Sequence, residues 1–126
     1  MISERTYLKC NLCGNLIGVI NDSGVVPECC GEPMQRLVPN TADAAQEKHV
    51  PVISRGESTV TVKVGSVAHP MMQKHFIEWI ALAQGNRTQR VSLSPDDLPE
   101  AVFDCGSGPV TVYAYCNLHG LWASEQ

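Results

Sequence analysis

The chain has 126 residues, enough for one ordinary domain or for a moderate domain together with a very small one. Hydrophobic residues make up 44% of it and can build a core, while a charged fraction of 17% is not typical of a disordered chain. The formal net charge is −4, which argues against a nucleic acid as partner, because nucleic acids bind basic surfaces.

The N-terminal sequence Met1-Ile2-Ser3 continues without the apolar segment of a signal peptide. No apolar run approaches the roughly 18–20 residues that span a bilayer. We therefore expect a soluble, cytoplasmic protein whose six cysteines stay reduced and act as metal ligands, nucleophiles or buried apolar side chains. Four of these cysteines precede residue 31 and all four histidines follow residue 48, so thiol and imidazole groups are largely segregated.

Residues 1–38 are predicted to form a small metal-binding ribbon. Residues 6–9 and 16–20 have the composition of strands and flank a tight turn at residues 10–15. Fewer than about 40 residues cannot bury enough apolar surface to fold alone, so a metal ion or a partner subunit is expected to stabilise this segment. The small and polar residues 39–47 are predicted to be a linker.

Residues 39–126, with the linker included, are predicted to form an antiparallel β domain. Apolar and polar residues alternate with a period of two in residues 60–64 and 110–116. Further candidate strands are residues 50–54, 91–93, 101–105 and 121–123. Residues 76–83 fit a helix and a strand equally well. About seven strands separated by turn residues indicate an immunoglobulin-like sandwich.

The pair Cys10-x-x-Cys13 and the adjacent pair Cys29-Cys30 supply four thiolates, the number that a tetrahedral sulfur site needs. Neighbouring side chains of an extended strand point to opposite faces, so Cys29 and Cys30 can share an ion only if the backbone bends. Gly31 permits such a bend. These ligands alone predict a metal site but leave iron and zinc equally open.

The second candidate site combines the four histidines with one cysteine, Cys116, which lies at Cys-x-x-His spacing from His119. Four imidazoles and one thiolate are too many for tetrahedral zinc, whereas they leave an octahedral ion one open position. A thiolate opposite that position increases the electron density at the metal, which suits the binding of a reduced oxygen species. Two alternatives remain: a non-catalytic zinc-ribbon binding module with incidental histidines, and an electron-transfer protein of blue-copper type.

Together these motifs resemble the desulfoferrodoxins, the two-iron class of superoxide reductases, in order and over nearly the whole chain. The motifs are Cys10-x-x-Cys13, Cys29-Cys30, Glu47-Lys48-His49, His69-Pro70-Met71, His75 and Cys116-Asn117-Leu118-His119-Gly120. The resemblance implies a desulforedoxin-like iron centre on the four N-terminal cysteines. It also implies a catalytic iron centre, with His49, His69, His75 and His119 equatorial and Cys116 axial.

Similarity to the family also implies an activity, the reduction of superoxide to hydrogen peroxide, and roles for two further residues. Lys48 is expected to attract superoxide and to help protonate the product, and Glu47 to occupy the sixth position of the oxidised iron once the product has left. A rubredoxin-like electron donor and a homodimer are expected from the family as well. Cys105 matches no family ligand and is predicted to be a buried apolar side chain.

Overall fold

The computed structural model describes residues 5–41 and 48–126. Every regular secondary-structure element in these ranges is a β-strand, and the strands are numbered β1 to β12 in chain order. The chain divides into two compact units, and the division falls between Val38 and Pro39.

The N-terminal unit is a set of five short strands. They are β1 (Thr6–Lys9), β2 (Leu16–Val19), β3 (Glu28–Cys29), β4 (Glu32–Pro33) and β5 (Gln35–Arg36). One sheet has the order β2-β1-β5, and β3 pairs with β4 in a separate hairpin. The buried cluster of this unit consists of Leu8, Cys10 and Met34, and Tyr7 of β1 is buried as well. So small an apolar core supports the expectation that a metal ion stabilises the unit.

The C-terminal unit has seven strands in two antiparallel sheets. They are β6 (Pro51–Arg55), β7 (Thr59–Val64), β8 (Ile77–Gln84), β9 (Arg87–Ser92), β10 (Glu100–Asp104), β11 (Thr111–Cys116) and β12 (Gly120–Glu125). One sheet has the order β10-β7-β6 and the other β12-β11-β8-β9. Seven strands in sheets of three and four are typical of an immunoglobulin-like sandwich, so the predicted fold class is confirmed.

The core of the sandwich follows from the alternation along its strands. Val60, Val62 and Val64 of β7 are fully buried, and Thr61 and Lys63 between them point away from the core. Leu82 of β8 and Val112 of β11 belong to the same buried cluster. β-Branched residues fit such pleated, half-buried surfaces, which is why valine dominates here.

Some predicted boundaries needed correction. Of the ambiguous residues 76–83, all but Phe76 belong to strand β8, which runs on to Gln84; this strand is mostly buried within the four-stranded sheet and pairs with both β11 and β9. Strand β9 begins at Arg87, four residues before the apolar segment that predicted it. The early part of β9 is polar because it lies at a sheet edge and is mostly exposed, so it carries no hydrophobic signal.

The strand register brings several loops to one end of the sandwich. Pro51, at the start of β6, pairs with Val64 at the end of β7. Cys116, at the end of β11, pairs with Ile77 at the start of β8 and with Gly120 at the start of β12. Every histidine of the chain lies in a segment beside one of these strand ends.

No helix long and apolar enough to cross a lipid bilayer occurs in the part of the chain that the structure describes.

Leu82→Ala should lower the free energy of unfolding of the C-terminal unit by about 2–5 kcal/mol, because it opens a cavity in a closed core. Leu82 is 1% exposed, whereas Leu98, its control, is 68% exposed. Leu98→Ala should change stability by less than about 0.5 kcal/mol. Both tryptophans, Trp79 and Trp122, belong to this unit, so denaturant unfolding followed by tryptophan fluorescence measures it selectively. Equal effects of the two substitutions would contradict the proposed core.

Candidate metal centres

The turn after β1 presents two cysteine sulfurs on one side of a short loop. Backbone hydrogen bonds from Cys10 N–H to Asn15 O (2.8 Å) and from Gly14 N–H to Cys10 O (3.0 Å) close the loop. The N–H of Cys13 points at Cys10 Sγ (3.4 Å), and that of Asn15 at Cys13 Sγ (3.5 Å). These donors favour negative charge on the two sulfurs.

The adjacent cysteines lie at the tip of the β3–β4 hairpin. Cys29 pairs with Glu32, so Cys30 and Gly31 form a two-residue turn between them. Both turn residues have positive φ, +56° at Cys30 and +79° at Gly31. Two such residues are typical of a type I′ hairpin turn. The bend expected at Gly31 therefore begins one residue earlier, at Cys30 itself.

The four N-terminal sulfurs form one cluster, the cysteine cluster (Cys10, Cys13, Cys29 and Cys30), whose sulfurs all lie within 4.8 Å of one another. Backbone N–H groups of Cys13 and Leu12 lower the pKa of Cys10 to about 6. Contact with the other sulfurs, that of Cys13 first, raises the pKa of Cys30 to about 12. One thiolate thus opposes the ionisation of its neighbours, and a bound cation removes that conflict. The donor set fits a tetrahedral metal ion.

The four histidines form a closed cycle of rings, the histidine cluster (His49, His69, His75 and His119). Successive ring centroids are 5.0 Å apart for His49 and His69, 4.6 Å for His69 and His75, 5.0 Å for His75 and His119, and 4.9 Å for His119 and His49. Neighbouring rings meet edge to face, at interplanar angles between 68° and 79°. Such a cycle places four imidazole edges around a common centre.

Each histidine is held by a segment that joins the sandwich at the same end. His49 precedes β6, His69 and His75 lie between β7 and β8, and His119 lies in the β11–β12 turn after Cys116. The N–H of His69 donates to Val64 O (2.9 Å), which anchors this histidine to the end of β7. The cluster is therefore built on the ends of a rigid sheet framework.

Two ring nitrogens of the histidine cluster, Nε2 of His69 and Nε2 of His75, are buried and have no hydrogen-bond partner among the residues that the structure describes. The other nitrogen of His69, Nδ1, contacts the carbonyl oxygen of Pro70 at 2.7 Å, so the proton resides on Nδ1 and the Nε2 lone pair is left for a ligand. Burial lowers the pKa of His69 to about 4, and burial also lowers that of His75. Both imidazoles are therefore neutral at pH 7, as metal ligands must be.

Cys116 completes the second site with a buried thiol. Its Sγ is 3.7 Å from Nδ1 of His119 and receives the backbone N–H of His119 at 3.4 Å. Burial raises the pKa of this thiol, so the ionised form needs a nearby cation. Donor atoms of His49, His75, Cys116 and His119 all lie within 4.8 Å of one another. His69 joins this set through its ring contacts with His49 and His75.

The spacing fits an ion with ligands at right angles. Nε2 of His49 and Nδ1 of His119 are 3.1 Å apart. Two nitrogens each about 2.1 Å from an ion, at a right angle, are about 3.0 Å apart. Four imidazoles in a cycle together with one thiolate exceed the coordination of tetrahedral zinc and suit a six-coordinate ion with one free position.

Trp122 is a residue of this site that the sequence motifs did not indicate. Its indole stacks on the ring of His49 (centroids 4.5 Å apart, interplanar angle 17°). Its Nε1 donates to the carbonyl oxygen of His119 at 3.1 Å. It is half-buried at alternate spacing in β12, so the sequence signal is only that of an ordinary strand residue.

The other residues that the sequence singled out are Lys48, Glu47 and Cys105. Lys48 is half-buried beside His49. The pKa of His75 is lowered mainly by burial, then by the charges of His119 and His49, and least by the charge of Lys48. Glu47 lies outside the described residues. Cys105 is buried in the sandwich core, where its thiol donates to Gly106 O (3.2 Å), in agreement with the predicted apolar role.

Comparison with known proteins gives one consistent result. Residues 41–125 match the family model of desulfoferrodoxin, and residues 3–37 match that of its N-terminal domain. The desulfoferrodoxin of Syntrophotalea carbinolica is 55% identical over 99% of both chains, and that of Nitratidesulfovibrio vulgaris is 47% identical over 99% of both.

Solved structures agree with these relatives. The superoxide reductase of Treponema pallidum aligns with a TM-score of 0.81 and 30% identity, over 96% of this chain and 98% of its own. The one-iron superoxide reductase of Giardia intestinalis aligns with a TM-score of 0.57 and 31% identity, over 64% of this chain and 98% of its own. Matches to both family models and high identity over the full length have one explanation: the chain belongs to the desulfoferrodoxin family.

Proposed function

We propose that the chain reduces superoxide to hydrogen peroxide at an iron ion bound by the histidine cluster and Cys116. The observation that carries this proposal is the closed cycle of four imidazoles beside a buried thiol. The chain is a superoxide reductase by its family and its structural neighbours. The family has two iron centres, and the chain has a ligand set for each of them.

The reaction takes up one electron and two protons for each superoxide ion. Ferrous iron, when bound, supplies the electron. His49, His69, His75 and His119 are the proposed nitrogen ligands, and Cys116 the proposed sulfur ligand. The neutral state of His69 and His75, whose pKa values burial lowers, keeps their lone pairs available without a competing proton. The Cys116 thiolate adds electron density and so favours transfer of the electron to oxygen.

Lys48 is the proposed guide for the substrate. Superoxide is an anion and the chain has a formal net charge of −4, so the overall field opposes their encounter. A single ammonium group beside the site can reverse the local potential, because field lines concentrate at the mouth of a site. Support comes from the charge of Lys48 acting on His75, a proposed ligand. The same ammonium can pass one proton to the product and regain it from solvent.

Glu47 keeps its expected role as a prediction. The role needs a carboxylate that reaches the sixth position of oxidised iron, since oxygen donors suit the harder ferric ion. Its support is from the sequence: Glu47 precedes the proposed ligand His49 by two residues.

The two alternative functions find no support in the site. A zinc-ribbon module with incidental histidines does not explain four rings in one closed cycle. A blue-copper site uses two histidines, a cysteine and a weak axial methionine. The nearby sulfur of Met71 instead accepts the backbone N–H of Ile77 at 3.4 Å.

The proposed organisation has residues 1–38 as the domain of the cysteine-bound iron and residues 39–126 as the catalytic domain. The division of the chain between Val38 and Pro39 supports it. Each turnover consumes one electron, which an external donor has to return. A rubredoxin-like protein is the donor that we propose, as expected from the family. Six free cysteines support a cytoplasmic location, where thiols stay reduced.

A homodimer is the proposed assembly. Ile20 and Val25 of the N-terminal unit are 96% and 78% exposed, and strand β2 lies at the edge of its sheet. Exposed apolar side chains beside a free sheet edge suit association with a second copy.

The reaction class can be tested by stoichiometry. Ferrous protein in excess over superoxide should yield one hydrogen peroxide for each superoxide consumed, with no oxygen released. A dismutase gives half that yield and releases oxygen, because one of every two superoxide ions is oxidised. Peroxide and oxygen are measured together, with metal-free protein as the control, and oxygen release above that control would refute a reductase.

Cys13→Ser should remove the visible absorption of the cysteine-bound iron and leave the reaction of the ferrous catalytic site with superoxide within about twofold. The reason is that the proposed catalytic ligands all belong to the other unit. The measurements are iron content, the visible spectrum and the rate of superoxide loss. Loss of turnover in a variant that retains its second iron would contradict this separation of roles.

Lys48→Ile should slow the bimolecular reaction with superoxide by about tenfold at low ionic strength. Raising the ionic strength should slow the unmodified protein more than the variant, because the Debye length falls from about 30 Å at 0.01 M to about 8 Å at 0.15 M. Lys63→Ile is the matched control, since it removes the same charge from an exposed position on β7. If both variants lose rate equally, net charge and not Lys48 guides the substrate.

A further inference from the structure

Asn117 lies between two proposed ligands in sequence, yet its side chain contacts the segment of a third. Its Oδ1 accepts the backbone N–H of Phe76 at 3.0 Å, and its Nδ2 donates to the carbonyl oxygen of Lys74 at 3.0 Å. Its backbone N–H also donates to Phe76 O at 3.3 Å. Lys74 and Phe76 are the two residues that flank His75.

The segment that carries His75 has little other regular support. It lies just outside β8, and Met72 and His75 exchange backbone hydrogen bonds with each other at 2.9 and 3.1 Å. The pairing of β11 with β8 shifts register between Tyr115 and Cys116 and ends at Ile77. Asn117 therefore continues the connection between the two strands beyond the point where regular pairing ends.

Nε2 of His75 has no hydrogen-bond partner in the described part of the chain, so no bond at this nitrogen orients the imidazole. The position of the backbone on either side of His75 determines where the ring starts. A primary amide suits this position because it provides one acceptor for the N–H of Phe76 and one donor for the carbonyl of Lys74. A carboxylate has only the acceptor, and an alkyl side chain has neither.

We propose that Asn117 is a positioning residue for the catalytic centre, one that fixes His75 relative to Cys116 and His119 by binding the peptide groups on both sides of His75. This inference rests on the ligand set of the proposed function but not on superoxide as the substrate. Groups that orient metal ligands typically change metal affinity by about 10–100-fold when they are removed.

The test is release of iron from the full-length ferrous protein to a chelator, with Asn117→Ala and Asn117→Asp compared with the unmodified chain. Iron in the histidine site is followed by the thiolate-to-iron absorption of oxidised samples. Asn117→Ala should release this iron about tenfold faster or more, and Asn117→Asp should fall between the two. Release from the cysteine cluster, followed in the same spectra, should not change.

Gln84→Ala is the matched control. The Gln84 amide also binds two backbone groups, the carbonyl oxygens of Gly106 (2.9 Å) and Ser107 (3.4 Å), in a loop without proposed ligands. This variant should release iron at the unmodified rate, even if it loses as much thermal stability as Asn117→Ala. Equal acceleration in the two variants would show that general loosening of the fold, and not the position of His75, controls release.

A double-mutant cycle identifies the ligand through which Asn117 acts. In a His75→Ala background, which is loaded with cobalt(II) if iron is not retained, adding Asn117→Ala should change the release rate by less than about twofold. The same acceleration with and without His75 would overturn the proposal. So would failure of both Asn117 variants to fold with their cysteine-bound iron, because Asn117 would then be required for the fold itself. None of these outcomes depends on superoxide turnover, so the inference and the proposed function can fail separately.

Discussion

The second site depends on one constraint, the burial of imidazole nitrogens that no group in residues 5–41 or 48–126 satisfies. Within these ranges, Nε2 of His69 and Nε2 of His75 are shielded from water and accept no hydrogen bond in return. An unpaired buried polar atom costs roughly 1–3 kcal/mol, and the thiol of Cys116 is buried beside them. A cation that accepts these lone pairs turns a cost into a stabilising interaction. The histidine cluster is thus chemically complete only with a metal ion.

Keeping such a cluster open requires a framework that does not collapse onto it. The sandwich provides this framework, because its core of interleaved β-branched residues is closed independently of the site. The ligands are attached where β6, β7, β8, β11 and β12 begin or end. Asn117, Trp122 and the carbonyl oxygen of Pro70 then fix individual ligands against this framework. The more rigid this support, the less the site reorganises when the charge on its metal changes.

The sequence indicated the chemical groups of the second site, four imidazoles and one thiolate, but not the side chains that hold these groups in place. The five proposed ligands stand in short motifs with distinctive residue types, and the β class follows from alternation such as that of Val60, Val62 and Val64. Three features escaped it for physical reasons. The segment after Phe76 is buried on both faces, so its apolar run carries no period. Asn117 stands in a quoted motif, but its contacts with the segment of His75, like the stacking of Trp122 on His49, join segments distant in sequence, and such contacts leave no local pattern.

The two units differ in how far their folds depend on a bound metal ion. In the N-terminal unit only a few side chains are buried, and one of them is the proposed metal-binding thiol of Cys10, so the cysteine cluster forms part of the core itself. Contacts with the neighbouring sulfurs raise the pKa values of Cys29 and Cys30, so these thiols ionise readily only with a cation beside them, and folding and metal binding are therefore coupled there. The C-terminal unit has a large apolar core of its own. It can hold its ligands in place before the ion arrives, and it can leave one coordination position free. A structural metal ion that holds a fold together is fully enclosed by protein ligands, whereas a catalytic ion needs an open position for the substrate. A unit whose apolar core does not depend on the ion can leave that position open.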